Sequence, residues 1–174
     1  MTKVCLMCIY AKNMMTDYKD IGIAYISSYL KQNNCEVLLQ YPLEDDIDYE
    51  KIIDYQPDYI GLTIYEISKN IVLEAAKRMK EVLPEVKICL GGYYATYNPV
   101  SILKKYDFID YVICGEGEVT WMKLVQSDNN QEKLKQVKGL AFHMENGEVV
   151  VNQKADLIAD LDTLPYPDRR YLIE

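Results

Sequence analysis

Short apolar runs alternate along this chain with segments of helical period, and that alternation limits the fold more than any other feature. Lys3 to Ile9 is apolar almost throughout, as a strand covered on both faces must be. Ile21 to Gln32 carries Ile21, Ala24, Tyr25, Ser28 and Tyr29 at helical spacing, and Glu36 to Gln40 reads as a second strand. Tyr49 to Tyr55 predicts a short helix, stopped ahead of Pro57. Tyr59 to Ile64 makes a third strand. Lys69 to Leu83 follows as an amphipathic helix that turns Ile71, Val72, Ala75, Ala76, Met79 and Val82 inward, with Pro84 just past its end. Val86 to Leu90 is a fourth strand ending at Gly91-Gly92, and Pro99 to Tyr106 a helix with proline in its first turn. Tyr111 to Cys114 is the fifth strand, followed by Gly115-Glu116-Gly117-Glu118 and a helix through about Val125.

Five β-α units with buried strands predict an α/β fold, a five-stranded parallel sheet with helices on both faces. The count suits the flavodoxin-like (Rossmann-like) strand order 2-1-3-4-5 better than a six-stranded dinucleotide fold. A ligand of such a sheet sits beyond the carboxyl ends of the strands, at the switch between strands one and three. Residues 1–126 form this domain. Residues 127–153 read as an appendage, a polar linker from Ser127 to Lys138 and then a hairpin centred on Glu145-Asn146-Gly147. Residues 154–174, with Pro165 and Pro167, read as an extended tail whose Leu161, Leu164, Tyr166, Tyr171 and Leu172 look made to pack on something. Ser127 to Glu174 should be the least rigid part of the chain.

A net charge of -8, with the basic pairs Lys77-Arg78, Lys104-Lys105 and Arg169-Arg170 scattered, argues against a nucleic-acid partner. No apolar run spans a bilayer and no cleavable leader opens the chain, so no membrane partner and a cytoplasmic location are expected. Cys5 and Cys8 form a C-x-x-C, but inside a strand they point to opposite faces, so a redox pair is not expected. The cysteines in strand-like runs behave as small buried hydrophobes, and no metal site or catalytic residue is assigned.

The switch-point loops exclude several ligands. A phosphorylated receiver needs an acidic pair after strand one and an aspartate ending strand three, where Cys8-Ile9-Tyr10 and Thr63-Ile64-Tyr65 stand instead. The loop from Tyr10 through Asn13, Met14 and Met15 lacks the hydroxyls that cradle a flavin phosphate. Gly115 to Thr120 resembles a dinucleotide fingerprint only weakly. It follows the wrong strand, and Glu116 and Glu118 would repel a pyrophosphate. It is better suited to a partner rich in N–H donors. Gly91-Gly92 permits positive φ and close approach of a bulky ligand, and the Thr63 hydroxyl could meet a buried ligand nitrogen.

Leu90-Gly91-Gly92-Tyr93-Tyr94-Ala95-Thr96, then Asn98-Pro99, then Phe108 through Glu118, together resemble the cobalamin-binding domain that precedes a radical SAM core. Leu161 to Arg169 resembles the joint between those two domains, which makes 154–174 a lead-in to a radical SAM domain. The resemblance implies a corrin ring over the carboxyl edge of the sheet, with its nucleotide tail in a slot beside strands one, three and four. The cofactor-binding residues it implies are Tyr10, Thr63, Ile64, Tyr65, Gly91, Gly92, Tyr93, Tyr94, Ala95, Thr96, Gly115, Glu116, Gly117 and Glu118. The Asp-x-His-x-x-Gly that coordinates cobalt in mutases is absent, and the single histidine, His143, falls in the hairpin as a surface residue. Cobalamin is thus expected without a protein histidine on cobalt. No C-x-x-x-C-x-x-C occurs, so the resemblance implies that a [4Fe–4S] cluster and S-adenosylmethionine belong to a downstream domain, with a methyltransferase as one such parent. The alternative is a degenerate domain, its slot filled by tyrosines such as Tyr97, that serves in substrate or partner interaction.

Overall fold

A computed structural model describes residues 1–12 and 20–170. Seven strands form one sheet: β1 (Lys3–Cys8), β2 (Glu36–Gln40), β3 (Tyr59–Thr63), β4 (Lys87–Gly91), β5 (Tyr111–Ile113), β6 (Leu140–His143) and β7 (Val149–Val151). Their order is β2-β1-β3-β4-β5-β6-β7. The first five are parallel in the expected 2-1-3-4-5 arrangement, and β6 and β7 continue the same sheet antiparallel. The helices are α1 (Ile21–Gln32), α2 (Tyr49–Tyr55), α3 (Lys69–Val82), α4 (Tyr93–Tyr97), α5 (Pro99–Lys105), α6 (Glu118–Ser127) and α7 (Gln131–Leu134). No helix among the described residues is long and apolar enough to cross a membrane.

Alternation along the strands builds two cores. Cys5, Met7, Ile60, Leu62, Ile88 and Leu90 pack with α2, α3 and α5 on one face, through Ile52, Val72, Met79 and Ile102. Val4, Leu6, Cys8, Tyr59 and Cys89 pack with α1, α6 and α7 on the other, through Ile23, Leu30, Trp121 and Leu134. Cys5 and Cys8 therefore lie on opposite faces, as their spacing requires.

Helix α1 is rotated from the face that its spacing suggests. Ile23, Ala24, Ser27 and Leu30 are buried, whereas Ile21 is 47% exposed. Asp20 caps the helix through Gly22 N and Ile23 N, so Ile21 falls on the solvent side of the first turn. Helix α3 keeps its expected face except at Val82, which is exposed one residue before the C-cap. Helix α4 has no counterpart in the sequence reading. Its five residues follow directly from the turn at Gly92.

Between Ser127 and Lys138, where composition suggests a polar linker, α7 is capped by Asn130 and fully buries Leu134. The hairpin forms around Gly147 (φ +82°) and lends the sheet a fully buried Phe142. After β7 the chain is extended apart from one 3-10 turn, Leu161–Thr163. It is not loose throughout: Asp168 N donates to Ala24 O at 3.1 Å, and Asp168 pairs with Lys31 of α1. Leu157, Leu161 and Tyr166 stay exposed, and Tyr171 and Leu172 lie outside the described residues.

Candidate functional site

In register across β1, β3 and β4 lie Leu6, Gly61 and Cys89, and two residues further on Cys8, Thr63 and Gly91. Small residues at the centre of these rows leave a slot of about 270 Å³ between α1 and α6, opening at the carboxyl edge. Its floor is Gly61, where a Cβ would come within 2.5 Å of Trp121 Cζ2 and 2.6 Å of Leu6 Cδ2. Trp121 is held there edge-on to Tyr59, ring centroids 6.3 Å apart.

At the mouth, backbone replaces side chains. Nothing lies within 4 Å of where a Cβ would stand on Gly91 or Gly115. Gly92 has φ +93°, and a Cβ there would press on Ile64 O at 3.0 Å, so the turn requires glycine. Thr96 Oγ1 accepts from Gly115 N at 3.0 Å and ties the two glycine-rich loops together.

One wall is organised by Asp20. Its Oδ1 accepts from Gly22 N at 2.8 Å and its Oδ2 from the Tyr65 hydroxyl at 2.6 Å. Its backbone N–H donates to Tyr10 Oη at 2.8 Å, and its carbonyl accepts from the Tyr41 hydroxyl at 2.9 Å. Three tyrosines that follow β1, β2 and β3 are thereby fastened to the start of α1. Burial pushes the Tyr10 and Tyr65 hydroxyls well above the usual phenol range, so both stay protonated. On the facing side, burial raises Glu118 above the ordinary carboxylate range, and the charge of Glu116 adds to the effect. Glu116 Oε2 accepts from Ile158 N in the tail at 2.9 Å.

Of the residues singled out in the sequence, Thr63, Tyr65, Gly91, Gly92, Tyr93, Gly115, Glu116, Gly117 and Glu118 line the slot. Ile64 and Ala95 do not present side chains to it. Both are fully buried in the opposite core, because alternation past Thr63 and the inward face of α4 point them there. Ile64 acts through its backbone, donating to Gly91 O at 2.9 Å and accepting from Tyr94 N at 3.3 Å. Tyr94 packs against that same core with Lys69 over its ring. Tyr10 is buried, outside the lining, and is tied to the site through Asp20. Asn13, Met14 and Met15 lie outside the described residues.

Sequence reasoning missed Asp20, Gly61 and Trp121. Each left a signal: a capping residue ahead of a helical period, a glycine inside a strand, and the only tryptophan in the helix after Gly117. His143 is half-buried, not a free surface group, and its Nε2 lies 3.1 Å from Leu103 O, away from the slot. Among the described residues no cluster of His, Cys, Asp and Glu could hold a metal ion. A larger groove of about 700 Å³ lies at the amino edge beside Asp58, Lys87 and Asn129. It faces away from the switch point where ligands of such sheets bind.

A doubly wound sheet with a glycine-rich slot at its switch point defines a cofactor-binding α/β domain. The chain belongs to the B12 binding domain family, whose match covers residues 7–125. An uncharacterized methyltransferase of Pyrococcus horikoshii is 30% identical over 84% of this chain and 32% of its own length. An anaerobic magnesium-protoporphyrin IX monomethyl ester cyclase of Cereibacter sphaeroides is 36% identical over 66% of this chain and 19% of its own. The chain thus spans a third or less of these relatives. The cobalamin-dependent S-adenosylmethionine radical enzyme OxsB, solved with aqua-cobalamin, matches 95% of this chain and 24% of its own with a TM-score of 0.74. At 21% identity that likeness speaks for the fold.

Proposed function

We propose that this chain holds cobalamin over the carboxyl edge of its sheet, with the lower base displaced and no protein histidine on cobalt. The observation that carries the reading is the open glycine mouth above a slot whose lining contains no imidazole. A macrocycle can approach Gly91 and Gly115 closely, and Thr63, Tyr65, Glu116 and Glu118 offer polar partners for a corrin's amide periphery. When bound, cobalamin supplies a cobalt centre able to accept and deliver a methyl group. The protein's part is to bind and orient it. Residues 1–126 are the binding unit in this reading, 127–153 complete its sheet, and 154–174 lead towards a radical SAM domain. That domain would carry the [4Fe–4S] cluster and S-adenosylmethionine, for which this chain has no three-cysteine motif. The short share of the relatives that the chain spans and their names support a radical SAM parent, a methyltransferase in particular.

Hydroxocobalamin should co-elute with the chain on gel filtration. After reduction to cob(II)alamin, its electron paramagnetic resonance spectrum should lack splitting from an axial nitrogen. No corrin absorbance with folded protein refutes the reading, and nitrogen splitting refutes its histidine-free, base-off form. Trp121 against Gly61 favours the second reading, a degenerate slot closed at its floor that serves partner interaction. Replacing Trp121 by a smaller residue separates the two. Binding gained only on that change marks a slot that the ring has closed.

A further inference from the structure

The polar lining of the slot is one-sided. Among the described residues it contains the carboxylates of Asp20, Glu116 and Glu118 and no lysine, arginine or histidine. Three of the N–H donors beside it are already engaged. Gly22 and Ile23 donate to Asp20 Oδ1 at 2.8 and 3.3 Å, and Gly115 donates to Thr96 Oγ1 at 3.0 Å. Tyr65 gives its only proton to Asp20 Oδ2, so towards any newcomer its oxygen is an acceptor. Glu116 has one oxygen on Ile158 N and the other still open to accept. A ligand group that reaches Glu116 and Glu118 therefore meets carboxylate acceptors and has to bring the donors itself. A primary carboxamide brings two N–H groups without charge. A carboxylate at the same place would face Glu116 and Glu118, with no lysine, arginine or histidine among the described lining residues to offset it.

We infer that the slot selects its corrinoid by the peripheral amides. Glu116 and Glu118 accept carboxamide N–H groups, and they reject a corrinoid that carries a free carboxylate where the amide should be. The inference rests on the cobalamin reading and adds a specificity to it. It gives the two acids of Gly115-Glu116-Gly117-Glu118 a task separate from that of the glycines, which make room. Glu118 is half-buried, and a partly desolvated carboxylate gains more from an N–H donor than an exposed one does.

The probes are cobalamin and its isomeric monocarboxylates, each with a single peripheral amide hydrolysed. They are titrated into the chain at fixed salt and followed by visible absorbance. At least one isomer should bind about tenfold or more weakly than cobalamin. Glu116→Gln or Glu118→Gln, each isosteric and able to donate, should bring that isomer to within about threefold of cobalamin. Glu145→Gln removes the same charge from the β6–β7 turn, where Glu145 is exposed, and should not restore binding. Equal affinity for all the corrinoids overturns the inference while leaving the cobalamin reading intact. Restoration by Glu145→Gln also overturns it, since the discrimination would then come from net charge. Failure of cobalamin itself to bind overturns the proposed function, and the inference with it.

Discussion

The two edges of the parallel sheet treat their polar groups in opposite ways. At the amino edge, Asp58 Oδ2 accepts from Lys3 N at 2.7 Å, and its carbonyl accepts from Lys87 N at 3.0 Å. Asp110 accepts from Ile88 N at 2.9 Å, from Lys80 Nζ at 3.0 Å and from Lys87 Nζ at 3.1 Å. Each acid there has an amide, a lysine or both. At the carboxyl edge, Glu116 and Glu118 have no lysine or arginine beside them among the described residues of the slot, and Gly91 and Gly115 leave bare backbone. The larger groove sits at the edge where Asp110 pairs with lysines, and the smaller slot at the edge whose described acids are met by amides and a hydroxyl. The polar groups of the amino edge stitch strands together, and in the proposed reading those of the carboxyl edge meet the ligand.

Substitutions can test how separate these edges are. The largest effect belongs to Gly61→Val at the slot floor, where the added carbons collide with Trp121 and Leu6. A loss of about 3 kcal/mol in denaturant stability is expected, with corrin binding abolished. Asp110→Ala should cost about 2 kcal/mol by stranding Ile88 N and two lysines, yet leave cobalamin affinity unchanged. If affinity falls as well, the edges are coupled and the contrast breaks. Gly92→Ala forces a side chain into φ +93° and should cost about 1 kcal/mol. Gly91→Ala, with open space around it, should shift stability by less than about 0.5 kcal/mol and still weaken binding. That pair separates backbone strain from ligand clearance one residue apart.

The smallest effect is a pH dependence in the tail. Arg170 and Lys31 beside Asp168 hold its carboxyl well below the usual carboxylate range, against the opposing effect of burial. A depressed folded-state value stabilises the fold above the ordinary carboxylate value of about 4, and the gain is lost as pH falls below it. The difference in melting temperature between the parent chain and Asp168→Asn should therefore shrink progressively below about pH 4. A constant difference would mean that tail docking owes nothing to this charge.

The strand order and most helix positions were legible because buried parallel strands read as continuous apolar runs, and Pro57, Pro84 and Pro99 mark helix limits. The rotation of α1 was not. Its tyrosines fit an inward stripe, and only the cap at Asp20 sets the actual phase. Ser127 to Lys138 looked like linker because Leu134 and Val137 are single apolar residues among polar neighbours, and burial depends on α6 beside them. At the site, the glycines and Glu118 announced themselves by motif. Ala95 shared the motif and Ile64 the loop after the third strand, but helix phase and strand alternation send their side chains into the core. The links from Asp20 to Tyr10, Tyr41 and Tyr65 join residues distant in sequence, so no local pattern could reveal them.

Placing the hairpin on the edge of β5 has a consequence for how the chain comes off the ribosome. β1 lies inside the sheet between β2 and β3, so its apolar surface waits for a partner more than fifty residues downstream, Val4 pairing with Tyr59. β5 pairs with β4 through only Tyr111 and Val112, and its other side stays bare until Leu140 to Phe142 arrive. Parallel crossovers close slowly, whereas a hairpin pairs locally and fast. The β6–β7 hairpin that follows forms by local pairing, and once docked it ends the interval in which Tyr111 and Ile113 are open to neighbouring nascent chains. A translation pause before Phe142 would prolong that interval more than one after Val151.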